Sequence, residues 1–256
     1  MEFLFLGTCG GRFDPRLETD LANTFDCDAR RSPGALLDGH ILIDCGPHCL
    51  EALRIAGVKE SEITDVVITH LHWDHYTPEH LAHIAQNKTD PLTVWVAEES
   101  VLPPMENVIV KPMRSLQPYE VRGGYTVTGL PSNHAPETNP RFLLFEKEGK
   151  KILYATDGAW FMLETYYHLQ NAALDLLVLD ATCGDYEGDF RIAEHNSIPM
   201  IRLMLPSLKT WGMITDNTEV YLTHLAPQLH RSHAETVEIV KQDGVKVAYD
   251  GLLLNF

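Results

Sequence analysis

The chain has 256 residues and a hydrophobic content of 45%, which is ordinary for a globular protein and enough for one sizeable core. Asp and Glu number 36 against 20 Lys and Arg, so the formal charge is −16 with neutral histidines. A field of this sign repels phosphate backbones and anionic lipid headgroups, and it argues against non-specific binding of nucleic acid.

The sequence indicates neither a targeting signal nor a membrane partner. Residues 1–7 have no basic start and too short an apolar run for a signal peptide, and no stretch approaches the roughly 18 apolar residues of a spanning helix. The cysteines are five, an odd number at scattered positions, which favours reduced thiols over a disulfide framework. We therefore expect a cytoplasmic protein with reduced cysteines, namely Cys9, Cys27, Cys45, Cys49 and Cys183.

Apolar runs and helical periodicities alternate along the chain and predict its secondary structure. The predicted strands cover residues 2–6, 35–44, 65–69, 92–96, 125–130, 141–146, 151–156, 174–179, 219–223 and 245–255. The predicted helices cover residues 49–56, 78–86, 163–172, 197–211 and 232–241. No repeat or linker divides the chain, so these elements predict one α/β domain over residues 1–256, with strands in sheets and helices outside.

Turn and capping residues support several of these boundaries. The Asp-Gly pair at 38–39 and the Glu-Gly pair at 148–149 predict hairpin turns, because glycine readily supplies the positive φ that tight turns need. Ser232 precedes Glu235 at the spacing of a capping box, and Thr77 precedes a proline in the first helical position.

The most informative segment is 69–75, which holds three imidazoles and one carboxylate. Neutral imidazole and carboxylate are ligands that suit divalent Zn, Mn or Fe. Residues two apart point the same way in an extended chain, so we expect His70 and His72 to reach one ion. A bend after the intervening tryptophan would turn Asp74 and His75 toward a second ion.

Further ligands are expected where three other apolar runs end, at His134, Asp157 and His224. Side chains at strand ends are held by a rigid scaffold, which suits a precise site. The assignment leaves an open position for water between two ions about 3.5–4 Å apart, with Asp157 bridging them. Metal one is assigned to His70, His72 and His134, and metal two to Asp74, His75 and His224. Each of the three further residues also has an ordinary structural alternative, such as a turn aspartate before Gly158.

The pattern HxHxDH, formed by His70, His72, Asp74 and His75, resembles the signature of the metallo-β-lactamase superfamily. The order of the remaining candidate ligands, a histidine, an aspartate and a histidine, matches as well. The resemblance implies a four-layer αββα sandwich with the metals at one edge of the sheets. It also implies a metal-dependent hydrolase.

Shorter segments resemble the PhnP-type phosphodiesterases, which hydrolyse a cyclic phosphate of ribose. They are residues 5–11, residues 30–33, residues 178–181 leading to 194–197, and residues 248–251. This likeness implies a phosphodiesterase that acts on a small cyclic phosphodiester such as phosphoribosyl 1,2-cyclic phosphate. It implies a metal-bridging hydroxide as the nucleophile and a homodimer as the oligomeric state. The cysteine cluster that holds a structural zinc in that family has no counterpart here, since Cys27 stands alone.

His195 matches a family histidine that assists catalysis from outside the metal shell, and with the ligand Asp74 it is predicted to be catalytic. An imidazolium near phosphorus would offset charge on the non-bridging and departing oxygens or donate a proton. The alternative for His195 is a histidine that only begins a helix. Four further residues are candidates to line the site, namely Arg12, Arg16, Trp160 and Phe161. The alternative for the two arginines is a solvated loop, and the alternative for the two aromatic rings is core packing.

Other functions fit parts of this pattern. A tRNase Z-like ribonuclease shares the ligand set, but the sequence has no readable basic arm for RNA and its charge argues against that function. A diiron flavoprotein of the same fold usually has glutamate where His72 stands. A lactonase, thioesterase or β-lactamase stays open, because the ligands do not choose between phosphorus and carbonyl carbon, although a cytoplasmic location disfavours a β-lactamase. The last alternative is a non-catalytic member that only binds metal or a partner.

Overall fold

The computed structural model describes residues 1–256 throughout, as two seven-stranded sheets and five α-helices. The chain forms two compact units, each of which contains one sheet. The first unit consists of residues 1–114 and 249–256, and the second unit of residues 115–248. The prediction of one domain over residues 1–256 stays a prediction. No helix combines the length and apolar character that crossing a membrane requires.

The first unit contains strands of both directions and two helices. Its strands are β1 (Glu2–Gly7), β2 (Gly34–Leu37), β3 (Ile41–Ile43), β4 (Asp65–Val67), β5 (Leu92–Ala97), β6 (Val108–Met113) and β14 (Leu253–Asn255), and its helices are α1 (Cys49–Ile55) and α2 (Pro78–Gln86). The sheet order is β14-β1-β2-β3-β4-β5-β6. Pairing is antiparallel from β14 to β3 and parallel from β3 to β6. Parallel neighbours need crossover connections, and α1 and α2 lie in two of them.

The second unit repeats this plan, with antiparallel strands first and parallel strands after them. Its strands are β7 (Pro118–Val121), β8 (Tyr125–Pro131), β9 (Arg141–Lys147), β10 (Lys150–Ala155), β11 (Leu176–Asp180), β12 (Glu219–Thr223) and β13 (Lys246–Val247), in the order β13-β12-β11-β10-β9-β8-β7. Its helices are α3 (Leu163–His168), α4 (Ile198–Thr210) and α5 (His233–Val240). Because β10, β11 and β12 are parallel, the loops that follow them start from one edge of the sheet.

Each unit has its own buried apolar cluster, built from sheet residues and the helices of its crossovers. In the first unit the cluster includes Leu42, Leu53, Val66, Leu81 and Val94. In the second unit it includes Phe142, Leu153, Leu179, Ile201 and Leu222. The strands are thereby anchored on apolar side chains, which leaves the polar residues at their carboxyl ends to form a site.

The predicted helices and strands are present, but several predictions differ from the structure. Residues 35–44 form two strands, β2 and β3, joined by the hairpin turn at 38–39. Residues 245–255 are not one strand, because the chain turns at 248–252 and divides into β13 and β14 in different sheets. The edge strands β6 and β7 are not predicted, since β6 is largely exposed and contains Lys111 and Pro112. Helix α3 ends at His168 rather than at residue 172, and Asn171 follows with a left-handed backbone.

The turn and capping predictions have mixed outcomes. Both hairpin turns are confirmed, at 38–39 and 148–149, with positive φ at each of their residues. The capping box of Ser232 and Glu235 is confirmed at the start of α5. Thr77 does precede α2 with a proline in the first turn, but its side chain makes no capping hydrogen bond.

A buried ionic cluster ties the end of β1 to the segment before β14. Asp250 accepts hydrogen bonds from the Arg31 backbone N–H at 2.7 Å and from the Thr8 hydroxyl at 2.8 Å. The Arg30 guanidinium donates to Thr8 Oγ1 at 2.6 Å. Burial raises the pKa of Asp250 to about 6, because these hydrogen bonds and the nearby arginines offset only part of the cost of an ionised buried carboxylate.

Asp250→Asn is expected to remove a pH dependence of stability. The pKa of Asp250 is higher in the folded chain than its ordinary value of 3.8, so its contribution to stability is present at low pH and is lost as the pH rises through about 6. The pKa difference corresponds to about 3 kcal/mol. Between about pH 3 and pH 7.5, the free energy of unfolding in urea should therefore decrease in both proteins, and the decrease should be about 3 kcal/mol larger for the wild type than for the variant. Parallel pH profiles of the two proteins would contradict this expectation.

Candidate metal centre

Three histidines and one aspartate lie together in the segment that follows β4. His70 Nε2 lies 3.0 Å from His72 Nδ1, and the ring centroids of His70 and His75 are 4.2 Å apart. The backbone N–H groups of His75 and Tyr76 both donate to the His72 carbonyl at 3.0 Å, so one tight turn holds the motif. Asp74 Oδ2 lies 3.8 Å from His75 Nε2. His72 is half-buried, and the other three candidate ligands are buried.

His75 is oriented by Asp44, a buried residue that directly follows β3. His75 Nδ1 lies 2.7 Å from Asp44 Oδ2, and Thr69 donates to Asp44 Oδ1 from its backbone N–H at 2.8 Å and from its hydroxyl at 2.9 Å. Burial raises the pKa of the Asp44 carboxyl, and His75 and Thr69 counter part of that rise. A carboxylate on one ring nitrogen fixes the tautomer and makes the other nitrogen a better ligand. Sequence reasoning missed Asp44, although it stands at a strand end like the predicted ligands.

Asp44→Asn is expected to lower the affinity of the chain for zinc by about 10- to 100-fold, because His75 loses the carboxylate that orients its ring. Competition with a chromophoric chelator measures the affinity, and circular dichroism checks the fold. Asp90→Asn, at an exposed aspartate of the same unit, is the matched control and should leave the affinity unchanged. A folded Asp44→Asn variant with wild-type affinity would show that Asp44 orients no ligand.

In the second unit, Asp157 and His224 follow β10 and β12 with left-handed backbones, at φ values of 52° and 59°. This conformation is uncommon outside glycine, and residues that hold it are concentrated at functional sites. Asp157 Oδ1 lies 3.0 Å from His224 Nδ1 and 3.4 Å from His195 Nδ1. The ring centroids of His134 and His195 are 4.9 Å apart. The structure thus brings together the four residues that the sequence singled out in this unit.

Asp180, the last residue of β11, orders two of these histidines. Its Oδ2 lies 2.8 Å from His195 Nδ1, and its Oδ1 accepts from the backbone N–H groups of Thr182 at 2.9 Å and Asn196 at 3.1 Å. The Thr182 hydroxyl lies 2.7 Å from His224 Nδ1. Both ring orientations therefore depend on a fully buried carboxylate to which sequence reasoning gave no role.

The environment of His195 favours its protonated form. Burial alone would lower the pKa of this imidazole, but the carboxylates of Asp180 and Asp157 outweigh burial and raise the pKa to about 9. An imidazolium at neutral pH has a proton to donate and a charge to place near an anion.

The side chains of this region fit divalent metal ions. Ligand atoms within 4.8 Å of one another form two groups in the second unit, Asp157 with Asp180, His195 and His224, and His134 with Glu194 and His195. Buried carboxylates and imidazoles at such separations are costly without a compensating cation. Nitrogen and carboxylate donors suit Zn, Mn and Fe. The histidine segment of the first unit, residues 70–75, contains the same types of donor.

The predicted lining residues divide into two kinds. Arg16 binds Asp14 of its own loop, with contacts of 2.6 to 3.2 Å, and Arg12 is exposed on the same loop. Phe161 packs on Phe142 with ring centroids 5.4 Å apart, so the core-packing alternative holds for this ring. Trp160, by contrast, is exposed.

Histidines and carboxylates that gather near the ends of strands in mixed α/β sheets indicate a protein that can bind metal ions. Residues 40–225 match the family model for the beta-lactamase superfamily domain, and the chain belongs to that family. The matched range contains all seven predicted metal ligands. The superfamily resemblance of the HxHxDH pattern is confirmed, and with it membership of a superfamily of metal-dependent hydrolases.

Several solved structures have a similar fold. The metallo-beta-lactamase fold protein YhfI from Bacillus subtilis is 19% identical over 99% of this chain and 98% of its own, with a TM-score of 0.74. A diphosphatase from the PhnP family is 22% identical over 100% of this chain and 97% of its own, with a TM-score of 0.70. Human tRNase Z, short form, is 18% identical over 100% and 99%, with a TM-score of 0.68. These likenesses confirm the predicted α/β metallo-β-lactamase fold. Among curated proteins, none matches the sequence.

Proposed function

We propose that the chain is a dinuclear metal-dependent phosphodiesterase that acts on a small cyclic phosphodiester such as phosphoribosyl 1,2-cyclic phosphate. The observation that carries this proposal is the placement of His195, whose Nδ1 is held by Asp180 next to Asp157. A histidine held beside candidate metal ligands can donate a proton in a reaction that builds negative charge on several oxygens at once. The short segments that resemble PhnP-type enzymes favour phosphorus as the centre attacked.

Seven residues would hold two divalent ions, Zn, Mn or Fe, and they are His70, His72, Asp74, His75, His134, Asp157 and His224. When bound, such ions supply Lewis acidity and activate water at neutral pH. Asp74 is proposed to be both a ligand and a catalytic carboxylate. Its burial beside His75 favours a fixed orientation over a mobile, solvated one.

The residues outside the proposed ligand set act on orientation and on protons. Asp180 holds His195 Nδ1, which leaves Nε2 as the ring atom available to a substrate oxygen. From there an imidazolium would donate a proton to the departing sugar oxygen and offset charge on phosphorus. Thr182 fixes the ring of His224, so the ligand and the proton donor share one buried framework.

The charge of the chain favours a small substrate. At −16, the acidic chain repels a long polyanion, whereas a single phosphodiester loses little to that field and gains from cations at the site. This argument favours a cyclic ribose phosphate over transfer-RNA precursors, although a tRNase Z has a similar fold.

The test uses purified protein reconstituted with Mn or Zn. We expect close to two ions per chain by elemental analysis, hydrolysis of bis-p-nitrophenyl phosphate and of phosphoribosyl 1,2-cyclic phosphate, and loss of both activities on chelation. A lactone, a thioester and a transfer-RNA precursor are assayed alongside. Turnover of any of these three without phosphodiester hydrolysis would overturn the proposal and select the corresponding alternative.

A further inference from the structure

Trp160 is held at the end of a turn that begins at Asp157. Its backbone N–H donates to Asn196 Oδ1 at 3.2 Å, and the Asn196 amide donates to the Gly158 carbonyl at 2.9 Å. Asn196 directly follows His195. The turn that carries Trp160 is therefore tied to the loop that carries the proposed proton donor.

The other side of this turn is tied to the loop that carries His134. The backbone N–H of Ala159 donates to the Asn133 carbonyl at 3.1 Å, and the Ser132 hydroxyl donates to the Asp157 carbonyl at 2.6 Å. Hydrogen bonds on both sides fix the turn between two loops of the candidate site. The backbone that carries Trp160 is therefore fixed beside the loops of His134 and His195.

Trp160 combines an unfavourable backbone with an exposed ring. Its φ of 38° lies in the left-handed region, which costs a residue other than glycine about 1–2 kcal/mol. Such conformations persist where surrounding contacts enforce them, and they cluster at ligand sites. The next residue, Phe161, packs against Phe142 of the buried apolar cluster, whereas 42% of the Trp160 surface is exposed. A rigid, open indole offers a large contact area at little cost in entropy.

We propose that Trp160 is a specificity residue whose indole stacks on a flat ring carried by the substrate, so that the preferred substrate is a nucleoside cyclic phosphodiester. This inference rests on the proposed function and adds a preference, among small cyclic phosphodiesters, for those that bear a base. Phosphoribosyl 1,2-cyclic phosphate has no base, so it would be hydrolysed without the contact to Trp160. An indole stacks on any nucleobase, because every base has a π face, and each such contact strengthens binding by about 1–3 kcal/mol. A substrate without a nucleobase would gain little binding free energy from Trp160.

The test compares adenosine 2′,3′-cyclic phosphate with methyl riboside 2′,3′-cyclic phosphate, which has no base. Trp160→Ala is expected to lower kcat/KM for the adenosine substrate by about 10- to 100-fold, mainly through KM, and to change the base-free substrate by less than about twofold. Trp160→Phe should recover most of the loss, since it restores a ring. Leu163→Ala, at an exposed residue close by, is the matched control and should change neither substrate. Equal losses on both substrates, or no loss on either, would overturn the inference.

A binding measurement separates this inference from the proposed function. Adenosine has no phosphate to hydrolyse, and we expect it to quench the tryptophan fluorescence of the metal-loaded protein. Trp160→Phe should abolish most of that quenching. Hydrolysis of phosphodiesters without quenching by adenosine would contradict the role of Trp160 but not the proposed function. Quenching without hydrolysis of any phosphodiester would contradict the proposed function but not the stacking of Trp160 on a base.

Discussion

His195→Ala is expected to lower kcat on phosphoribosyl 1,2-cyclic phosphate by about 10²- to 10⁴-fold, while the metal content stays at the wild-type level. The departing sugar oxygen needs a proton, and the variant removes the imidazolium that Asp180 holds in place. The loss on bis-p-nitrophenyl phosphate should be smaller, because p-nitrophenolate departs without protonation. Steady-state rates on both substrates and elemental analysis of each preparation measure these effects.

The matched control for this variant is His168→Ala, at an exposed histidine of the same unit. The His168→Ala variant should retain the wild-type rate and the wild-type metal content. Two results would show that His195 is not the proton donor. One is a His195→Ala variant that turns over at the wild-type rate, and the other is an equal loss on the two leaving groups.

Asp157→Ala is expected to lose activity and metal together. Removing a partner outside the ligand set costs about 10- to 100-fold in metal affinity, and removing a proposed bridging ligand should cost more than that. Asp157 also contacts His195 and His224, so circular dichroism must show that the variant is folded. His70→Ala, which removes a proposed ligand of the first unit, should likewise lower activity and metal content together.

The control for Asp157→Ala is Asp216→Ala, since Asp216 is exposed and pairs only with Lys209. That variant should bind metal normally. A folded Asp157→Ala variant with two ions per chain and the wild-type rate would remove Asp157 from the proposed ligand set.

Much of the site could be predicted from the sequence because its chemistry is local in the chain. The HxHxDH residues lie within one turn. His224 directly follows an apolar strand, and Asp157 stands two residues after the end of another. Asp44 and Asp180 also stand at strand ends, but their roles depend on partners 31 and 15 residues away. A single aspartate carries no sign of such a partner, so only the folded chain identifies these two residues.

The fold could be predicted where hydrophobic pattern and burial agree. Strand β5 is buried at every position and is apolar except for Thr93, so the sequence indicates it directly. Strand β6 is an edge strand whose pairing is satisfied on one side only, so Lys111 and Pro112 are tolerated there and obscure the pattern. The division of residues 245–255 between two sheets has a similar cause, because local apolar content does not specify a strand's partner.

The carboxylates of Asp44 and Asp180 have a consequence for how the chain would bind metal ions. Asp44 contacts the proposed ligand His75, and Asp180 binds Thr182, whose hydroxyl contacts the proposed ligand His224. Contacts between protein groups of one unit therefore align these two rings. An ion that binds to them would then lose little binding free energy to the ordering of side chains. Depleting the ions should therefore leave a folded chain that reloads readily, unlike small zinc domains in which metal uptake and folding are one event.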